Sequence, residues 1–368
     1  IDLYGTAVEA AGRVCMSERS RKGERMSGIP YELLKKFPEY AYQPLDRIDK
    51  IDAVYTYADM TDPGWYKQYI KHMKKEPSPG RHHNYNELEY SIKSLRIFCP
   101  FIDKIYIVTA GPIPAWYDPL DTQINIIDQN EILGEECIKP TFKSTSVEAY
   151  LHRIPGLSEC FMYLNDDYFI GNYLTKEMWF QNNLPVVDMY ISKWDFNIPD
   201  IDTFQNIQPV EDGKNTSRAK LRKNVHVAHL YHTNRCIYRK FGVLPNLNIT
   251  HQAHLLRKSC MDDAWRIFYP ELKQCVAVTR TRSREEVHMS LLSHFTGAIS
   301  GRMLLRLGKE SPMKMMSVKL HKQEEIDRCL ETRPHLFCIN HVNEDSAEAF
   351  KNFMGYHLIS HHFHSRDV

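Results

Sequence analysis

From residue 51 onward, the pattern of apolar positions alternates between strand-like and helix-like segments. Short apolar runs at residues 51–57, 105–109, 124–128 and 161–170 are rich in β-forming residues and are followed by turn-forming residues. Between them, Leu88, Ile92 and Leu95 fall on one face of a predicted helix over residues 86–98, and a second helix is predicted over residues 145–153. Strands and helices that alternate at this spacing predict βαβ units and a mostly parallel sheet.

The pattern is different in the rest of the chain. Residues 1–50 predict an N-terminal extension with one or two helices, and the polar residues 181–231 predict an insertion or cap. Helices are predicted again at residues 234–241, 254–268 and 284–300, and a short strand at residues 336–340. We therefore divide the chain into an extension (1–50), a main domain (51–340, in parts 51–180, 181–231 and 232–340) and a tail (341–368).

Charge and composition narrow the class of protein. The 47 Lys and Arg residues balance 46 Asp and Glu residues, which argues against a nucleic-acid binder and gives no polybasic membrane signal. No apolar run approaches the roughly 20 residues of a transmembrane helix, so no membrane span is predicted, while peripheral membrane association and homo-oligomer formation stay open. The nine cysteines include no CxxC pair, which argues against a structural zinc site.

The strongest chemical signal is a pair of adjacent carboxylates, Asp166 and Asp167, at the end of an apolar run. Hard divalent cations such as Mg²⁺ bind to one or two carboxylates together with substrate phosphates. Ligands of open α/β sheets lie at the carboxyl ends of the strands. A simple turn after a strand explains the same residues equally well, because Asn165 and the two aspartates are turn formers.

Other polar residues also have two interpretations. Asp52 and Asp62 flank the first strand, where a nucleotide could bind, but an edge aspartate and a turn residue are the favoured interpretation. Arg81 precedes a predicted helix start at which backbone N–H groups favour anions, so it could clamp a diphosphate. For Asn86 and Glu87, ordinary helix capping is the alternative.

Histidines and arginines supply the remaining candidates. His251 and His254 stand three residues apart at the start of a predicted helix and would share a face. They could bind a metal, act as a general base or simply form structural hydrogen bonds. Arg282 lies in a dense basic and acidic turn, for which a solvated helix start is the default. The C-terminal histidines, residues 357–364, are predicted to lie on the surface. No nucleophile elbow, Walker loop or GxGxxG turn occurs, so serine or cysteine nucleophiles are not indicated.

Taken together, four blocks in order along the chain resemble the Stealth family of sugar-phosphate transferases. This family contains bacterial capsular-polysaccharide phosphotransferases and the eukaryotic N-acetylglucosamine-1-phosphotransferase. The blocks are Ile51–Tyr57 with Asp62-Pro63; Arg81 through Asn86-Glu87-Leu88 to Asn165-Asp166-Asp167; Thr233-Asn234-Arg235 through His251 and His254 to Arg282; and Cys338-Ile339-Asn340. The resemblance implies an α/β fold, a Rossmann-like sheet of the glycosyltransferase-A type with a helical cap.

The resemblance also implies an activity. In the implied reaction, a hydroxyl of an acceptor glycan attacks the sugar-proximal phosphorus of a nucleotide sugar, with a UDP-sugar as the expected donor and Mg²⁺ or Mn²⁺ as the cofactor. A nucleoside monophosphate leaves and a phosphodiester forms. By resemblance, Asp166, Asp167 and Asn340 would hold the metal, and Arg282 and Arg81 would neutralise the charge on the transferred phosphoryl group. His254, or alternatively His251, would be the general base. Further substrate-binding residues would be Asp52, Thr56 and Asp62 at the nucleotide end of the donor, together with Asn86, Glu87, Asn234 and Arg235.

Departures from the family pattern keep alternatives open. His341 follows Asn340 where the family usually has an aspartate, which motivates a catalytically silent glycan- or nucleotide-binding homologue. An ordinary metal-dependent glycosyltransferase is a second alternative, and a nuclease or phosphatase using the paired carboxylates is a third. The sequence fixes neither the sugar, nucleotide and acceptor nor the compartment, which is either the Golgi or secretory lumen or the cytoplasmic face of a bacterial membrane.

Overall fold

The computed structural model describes residues 43–77, 84–191, 225–242, 245, 247–339, 342 and 344–364. The strands in chain order are β1 (Ile51–Tyr57), β2 (Ile102–Thr109), β3 (Ile124–Asp128), β4 (Cys160–Asn165), β5 (Tyr168–Ile170), β6 (Phe180–Gln181), β7 (Leu184–Ile191), β8 (Leu247–Asn248), β9 (His254–Arg257), β10 (Leu304–Leu307), β11 (Met315–Val318) and β12 (Leu336–Ile339).

The helices in chain order are α1 (Pro63–Met73), α2 (Glu87–Phe98), α3 (Gln129–Ile132), α4 (Ser144–Glu148), α5 (Lys176–Trp179), α6 (Val225–Phe241), α7 (Lys258–Ile267), α8 (Tyr269–Ala277), α9 (Met289–Ile299), α10 (Gln323–Thr332) and α11 (Ala347–His364). Short 3₁₀ turns lie at Leu151–Arg153, Gly308–Glu310 and Glu344–Ser346.

A five-stranded sheet forms the centre of the molecule, in the order β3-β2-β1-β4-β9. The first four strands are parallel and β9 is antiparallel to β4. Because parallel strands need crossover connections, helices cover both faces of this sheet. This arrangement confirms the prediction of a Rossmann-like α/β sheet.

The two faces of the sheet have separate apolar cores. On one face, Tyr55 and Ile107 pack with Leu88, Ile92 and Leu95 of α2. The other face is covered by α7 and α9, whose apolar residues cluster with Val54, Tyr106 and Phe161. Successive side chains of a strand point to opposite faces, so β1 contributes Ala53 and Tyr55 to one core and Val54 to the other, while Asp52 and Thr56 are its polar residues.

Two smaller sheets flank the central one. One has the order β10-β7-β6, with β8 paired to β7, and the other has the order β11-β12-β5. Strand β5 begins directly after the Asp166–Asp167 turn, and the Ile339 N–H donates to the Asp167 carbonyl at 3.2 Å. The last described residue of β12 therefore lies at the carboxyl edge of β4.

Several predicted elements differ from the observed ones. The predicted helix over residues 254–268 is wrong at its start, because His254–Arg257 is the edge strand β9. The predicted helix over residues 145–153 is only the short α4 followed by a 3₁₀ turn. Strand β7 lies in the range predicted as an insertion, and it pairs with β10.

The prediction that the C-terminal histidines lie on the surface is wrong for His357. Its side chain is buried, and its ring contacts those of Phe98, Phe337 and Phe353. The eight cysteines among the described residues are buried free thiols. Among the described residues, none of the helices combines the length and the apolar character needed to cross a bilayer.

Candidate active site

Asp166 and Asp167 form the reversal between β4 and β5, at the carboxyl edge of the central sheet. Both side chains are half-buried, and the Asp167 Oδ1 atom is fully buried without a hydrogen-bond partner among the described residues. Burial, followed by the negative charge of Glu87, raises the pKa of Asp166 to about 7. Burial and the charge of Asp166 raise the pKa of Asp167 well above its usual value.

This carboxylate pair fits a hard divalent cation. A cation placed among these side chains would bind the unpartnered Oδ1 atom of Asp167. It would also offset the excess negative charge of Asp166, Asp167 and Glu87. Within the described residues, no group of three or more His, Cys, Asp or Glu side chains is arranged to hold a metal ion. The donor set therefore suits a cation that also takes substrate oxygens. Asn340, predicted as a further ligand, lies outside the described residues, as does His341.

A row of hydrogen-bonded side chains runs along the carboxyl ends of β1 and β4. Thr56 Oγ1 lies 3.1 Å from Tyr163 Oη, and Tyr163 donates to Asn165 Oδ1 at 2.7 Å. Asn165 Nδ2 in turn donates to Tyr168 Oη at 3.2 Å. The row fixes the Asn165 amide beside the aspartate pair, and it brings Thr56 to the site.

Arg282 approaches the same carboxylates from the segment between α8 and α9. Its exposed guanidinium donates to Ser144 Oγ at 2.7 Å. Its positive charge lowers the pKa of Asp167 and of Glu148, although burial dominates and leaves both values raised. The structure thus places the positive charge of Arg282 on the same side of the molecule as the aspartate pair.

The two candidate histidines occupy different environments. His251 Nδ1 lies 3.9 Å from Asp167 Oδ2, and the His251 side chain is 42% exposed. His254 begins strand β9, is buried, and has its Nε2 atom 2.9 Å from the Thr250 carbonyl oxygen. Burial lowers the pKa of His254 to about 4. The prediction that the two histidines share a helix face is wrong, because a strand starts at His254.

Asp52 is not brought to the aspartate pair. Its buried carboxylate accepts hydrogen bonds from the Lys104 N–H at 3.1 Å and from the Ser158 N–H and Oγ at 2.8 and 2.6 Å. In the parallel pairing of β1 with β4, Asp52 is opposite Phe161, whereas Thr56 is opposite Asn165. At roughly 3.3 Å per residue, Asp52 lies about 13 Å back along the strand, at the amino edge.

Asp62 and Asn86 occupy helix starts. Asp62 caps α1, with its Oδ1 accepting from the Trp65 N–H at 2.6 Å. Asn86 precedes α2 in the left-handed conformation (φ 65°), and its own N–H donates to Asn84 Oδ1 at 2.9 Å. Their visible contacts are therefore those of capping and turn residues. Arg81 lies outside the described residues.

Asn234 and Arg235 likewise make structural contacts. The buried Asn234 amide donates to the carbonyls of Leu230 and Leu247 and accepts from the Leu247 N–H, at 2.8, 2.9 and 2.9 Å. These bonds tie α6 to β8 and use both ends of the amide. The Arg235 guanidinium lies 5.0 Å from the centre of the exposed Tyr238 ring.

Sequence reasoning missed Asp59 and Glu148. Asp59 accepts hydrogen bonds from Asn84 Nδ2 at 2.6 Å and from Tyr57 Oη at 3.2 Å. Burial raises the pKa of Tyr57, and the negative charges of Asp59 and Asp166 raise it further. Asp59 follows the end of β1 as Asp166 follows the end of β4, which is the signal that could have found it. Glu148 is half-buried near Ser144, Tyr163 and Arg282, a placement that no local pattern indicates.

Known proteins resemble this chain in sequence over most of its length. Residues 81–187 match the sequence profile of a protein family described as Stealth protein CR2, conserved region 2. A capsular polysaccharide phosphotransferase of Aeromonas hydrophila is 29% identical over 332 residues, covering 85% of this chain and 84% of that protein. One from Neisseria meningitidis serogroup B is 27% identical over 328 residues, covering 83% and 81%.

Among solved structures, the galactosyltransferase LgtC in complex with donor and acceptor sugar analogues aligns with a TM-score of 0.39 and 11% identity, covering 83% of this chain and 95% of that one. The sequence matches confirm the resemblance to the Stealth family: this chain carries the family's conserved region 2 and is similar over more than four fifths of its length to capsular polysaccharide phosphotransferases.

Proposed function

We propose that this protein transfers a sugar-1-phosphate from a nucleotide sugar, UDP-linked, to a hydroxyl of an acceptor glycan, with Mg²⁺ or Mn²⁺. The observation that carries the proposal is the buried, unpartnered Oδ1 atom of Asp167, in a half-buried carboxylate pair within the field of Arg282. The relatives named as capsular polysaccharide phosphotransferases support the same reaction class.

Asp166 and Asp167 are the residues that would hold the metal ion, with Asn340 as a further expected ligand. When bound, a divalent cation neutralises the diphosphate of the donor and stabilises the departing nucleoside monophosphate. The carboxylates are suited to this because neither forms an ion pair with a lysine or arginine within 4.0 Å among the described residues.

Arg282 would stabilise the negative charge that develops on the transferred phosphoryl group. Its guanidinium is exposed, and its bond to Ser144 Oγ leaves other N–H donors for substrate. Phosphoryl transfer depends on positioning and charge neutralisation more than on covalent chemistry with the protein. A fixed guanidinium beside a carboxylate pair supplies both.

His251 is the better placed general base. It is partly exposed and lies 3.9 Å from Asp167, whereas His254 is buried against the Thr250 carbonyl. In the proposed step, the acceptor oxygen forms a bond to the sugar-proximal phosphorus while the bond between that phosphorus and the nucleoside monophosphate oxygen breaks. The hydroxyl proton passes to the His251 imidazole, and the electron pair of the broken bond leaves with the nucleotide.

The nucleotide end of the donor is assigned to the carboxyl end of β1. Thr56 lies in the hydrogen-bonded row there, and Asp59 with Asn84 forms the adjoining polar network. Asp52 is not part of this assignment, because its oxygens accept bonds from Lys104 and Ser158 at the amino edge.

Incubation with UDP-GlcNAc and other UDP-sugars, glycan acceptors and Mg²⁺ or Mn²⁺, followed by nucleotide analysis, tests the proposal. We expect acceptor-dependent release of UMP that is abolished by EDTA. UDP as the sole nucleotide product would identify an ordinary glycosyltransferase instead. UMP release without any acceptor would indicate a hydrolase, and metal-independent binding of glycan without turnover would indicate a silent homologue.

A further inference from the structure

A buried ion pair joins the start of α4 to the segment that carries Arg282. The Lys143 and Glu286 side chains are 0% and 1% exposed, with Lys143 Nζ 3.5 Å from Glu286 Oε1. Two buried charges are costly to keep in a protein interior unless each is also satisfied by further hydrogen bonds. Both groups of this pair have such bonds.

The Glu286 carboxylate bridges two segments of the chain. Its Oε2 accepts from Thr145 Oγ1 at 2.5 Å, on α4, and its Oε1 accepts from the Ser283 N–H. The carboxylate therefore binds the residue that follows Arg282 and, at the same time, a residue in the first turn of α4.

The Lys143 ammonium holds the other end of the same segment. Its Nζ donates to the Cys275 carbonyl of α8 and to Thr279 Oγ1 at 3.2 Å. The backbone adds a further tie, since the Phe142 N–H donates to the Arg280 carbonyl at 2.8 Å. The segment from 279 to 286 is thus anchored to the segment from 142 to 145 on both sides of Arg282.

Burial does little to hold Arg282 in place. Its side chain is exposed, and its guanidinium donates a hydrogen bond to Ser144, which stands between Lys143 and Thr145. Ser144 is therefore the direct chain neighbour of Lys143 and Thr145, and Arg282 is the direct chain neighbour of Ser283, whose N–H donates to Glu286.

We propose that Lys143, Thr145 and Glu286 are positioning residues that hold the Arg282 guanidinium beside the aspartate pair. The inference rests on the proposed role of Arg282 in neutralising the transferred phosphoryl group. A charge that is fixed before the reaction stabilises the transition state without reorganising, whereas the same charge on a mobile segment does not. The anchoring groups thus act on turnover through Arg282 and not by touching substrate.

A double-mutant cycle tests this inference. Thr145→Val removes one hydrogen bond to Glu286 at nearly constant volume, and Glu286→Gln removes the charge. We expect each to lower kcat by about 10- to 100-fold with little change in the KM for the UDP-sugar, because the loss is one of transition-state stabilisation. In an Arg282→Ala background, the same changes are expected to have almost no further effect on kcat. Equal losses in both backgrounds would overturn the inference.

Asp188→Asn is the matched control, since the buried Asp188 carboxylate pairs with the half-buried Arg306 (Nε–Oδ1 2.6 Å) in the β7–β10 sheet. It is expected to lower Tm with kcat unchanged, which separates general destabilisation from the loss of positioning. Amide hydrogen exchange gives a readout that does not depend on turnover. Residues 279–286 should exchange faster in Thr145→Val, and unchanged exchange there would overturn the inference even if UMP release had established the proposed reaction. Absence of UMP release with faster exchange would instead reject the reaction and keep the anchoring.

Discussion

At the scale of single residues, burial separates two histidines that are alike in the sequence. His251 and His254 are three residues apart in sequence, yet only His251 is partly exposed beside Asp167. His254 is buried within the sheet edge and its ring nitrogen faces the Thr250 carbonyl. The spacing of the two histidines could be seen in the sequence, but the choice between them depends on the strand that starts at His254.

His251→Ala is expected to lower kcat by about 10²- to 10⁴-fold, the usual contribution of a positioned general base. His254→Gln, which keeps an N–H donor for the Thr250 carbonyl, is the matched comparison and is expected to lower Tm more than kcat. Steady-state kinetics and thermal unfolding of both variants measure this difference. Full activity in His251→Ala together with an inactive, folded His254→Gln would reverse the assignment.

Asp167→Asn removes one charge from a crowded carboxylate pair. In EDTA we expect this variant to have a higher Tm than the wild type, because repulsion with Asp166 and Glu87 is reduced. The Tm gain that Mg²⁺ gives the wild type should disappear, and turnover should be lost. Asp118→Asn is the control, since exposed Asp118 accepts from the Leu120 N–H, which an asparagine oxygen can also do. An undiminished Mg²⁺-dependent Tm gain in Asp167→Asn would contradict the metal assignment.

At the scale of elements, the small β11-β12-β5 sheet holds the aspartate turn at the carboxyl edge of β4. Strand β5 starts directly after the aspartate pair, and the Ile339 N–H of β12 bonds to the Asp167 carbonyl. Gly171, which follows β5, donates its N–H to the His335 carbonyl at 2.8 Å. Close packing of β5 against the start of β12 therefore sets where the aspartate turn lies.

Gly171→Ala is expected to destabilise the protein by about 1–3 kcal/mol, since overpacking at a backbone contact forces the chain to shift. A Cβ atom at this position would lie 2.2 Å from the Pro334 carbonyl oxygen, and that backbone atom cannot rotate away. Gly355→Ala in α11 is the control, because a Cβ atom there meets nothing within 4 Å and helix propensity favours alanine. Urea unfolding measures both, and equal stability of Gly171→Ala and the wild type would show that the β5–β12 contact is looser than described.

Elements with long, uniform patterns could be predicted from the sequence, and those defined by pairing could not. Strand β1 was predicted at its observed bounds, because it is rich in β-forming residues and a turn sequence follows it. Strand β9 has four residues and runs directly into α7, so no turn residue separates the two. In the site, Asp166 and Asp167 were visible as a polar end to an apolar run. The burial of Asp52 and the contacts of Glu148 depend on distant segments and leave no local signal.

At the scale of the whole molecule, the two edges of the central sheet differ in chemistry. The aspartate pair, Arg282 and His251 lie together at the carboxyl edge. A cavity of about 310 Å³ lies instead at the amino edge, lined in part by Lys50, Asp52 and Lys104. The division of the chain into an extension, a main domain and a tail stays a prediction.

Buried histidines in β9 and α9 make stability depend on pH. Burial lowers the pKa of His294 to about 3 and that of His254 to about 4, below the ordinary value of 6.5. A depressed folded-state pKa contributes stability that is present above pH 6.5 and is lost as the pH falls towards 4 and 3. Tm is therefore expected to fall from pH 7 to pH 4.

His294→Gln should show a smaller fall in Tm over that range than the wild type, since one of these groups is removed. The raised pKa of Asp166 acts in the opposite direction between about pH 4 and pH 7, but it is common to both proteins and cancels in the difference. Thermal unfolding in EDTA across this pH range measures the difference. An identical pH dependence in the two proteins would show that His294 does not stay neutral in the folded state.

The position of an oxygen label tests the central claim most directly. A UDP-sugar carrying ¹⁸O between the anomeric carbon and phosphorus is turned over with an acceptor and Mg²⁺, and the masses of the products are measured by mass spectrometry. If the acceptor attacks phosphorus, the label and the phosphate stay with the sugar in a phosphodiester, and the released UMP is unlabelled. Labelled UDP and a product without phosphate would show that the anomeric carbon is attacked instead, and would contradict the proposed sugar-1-phosphate transfer.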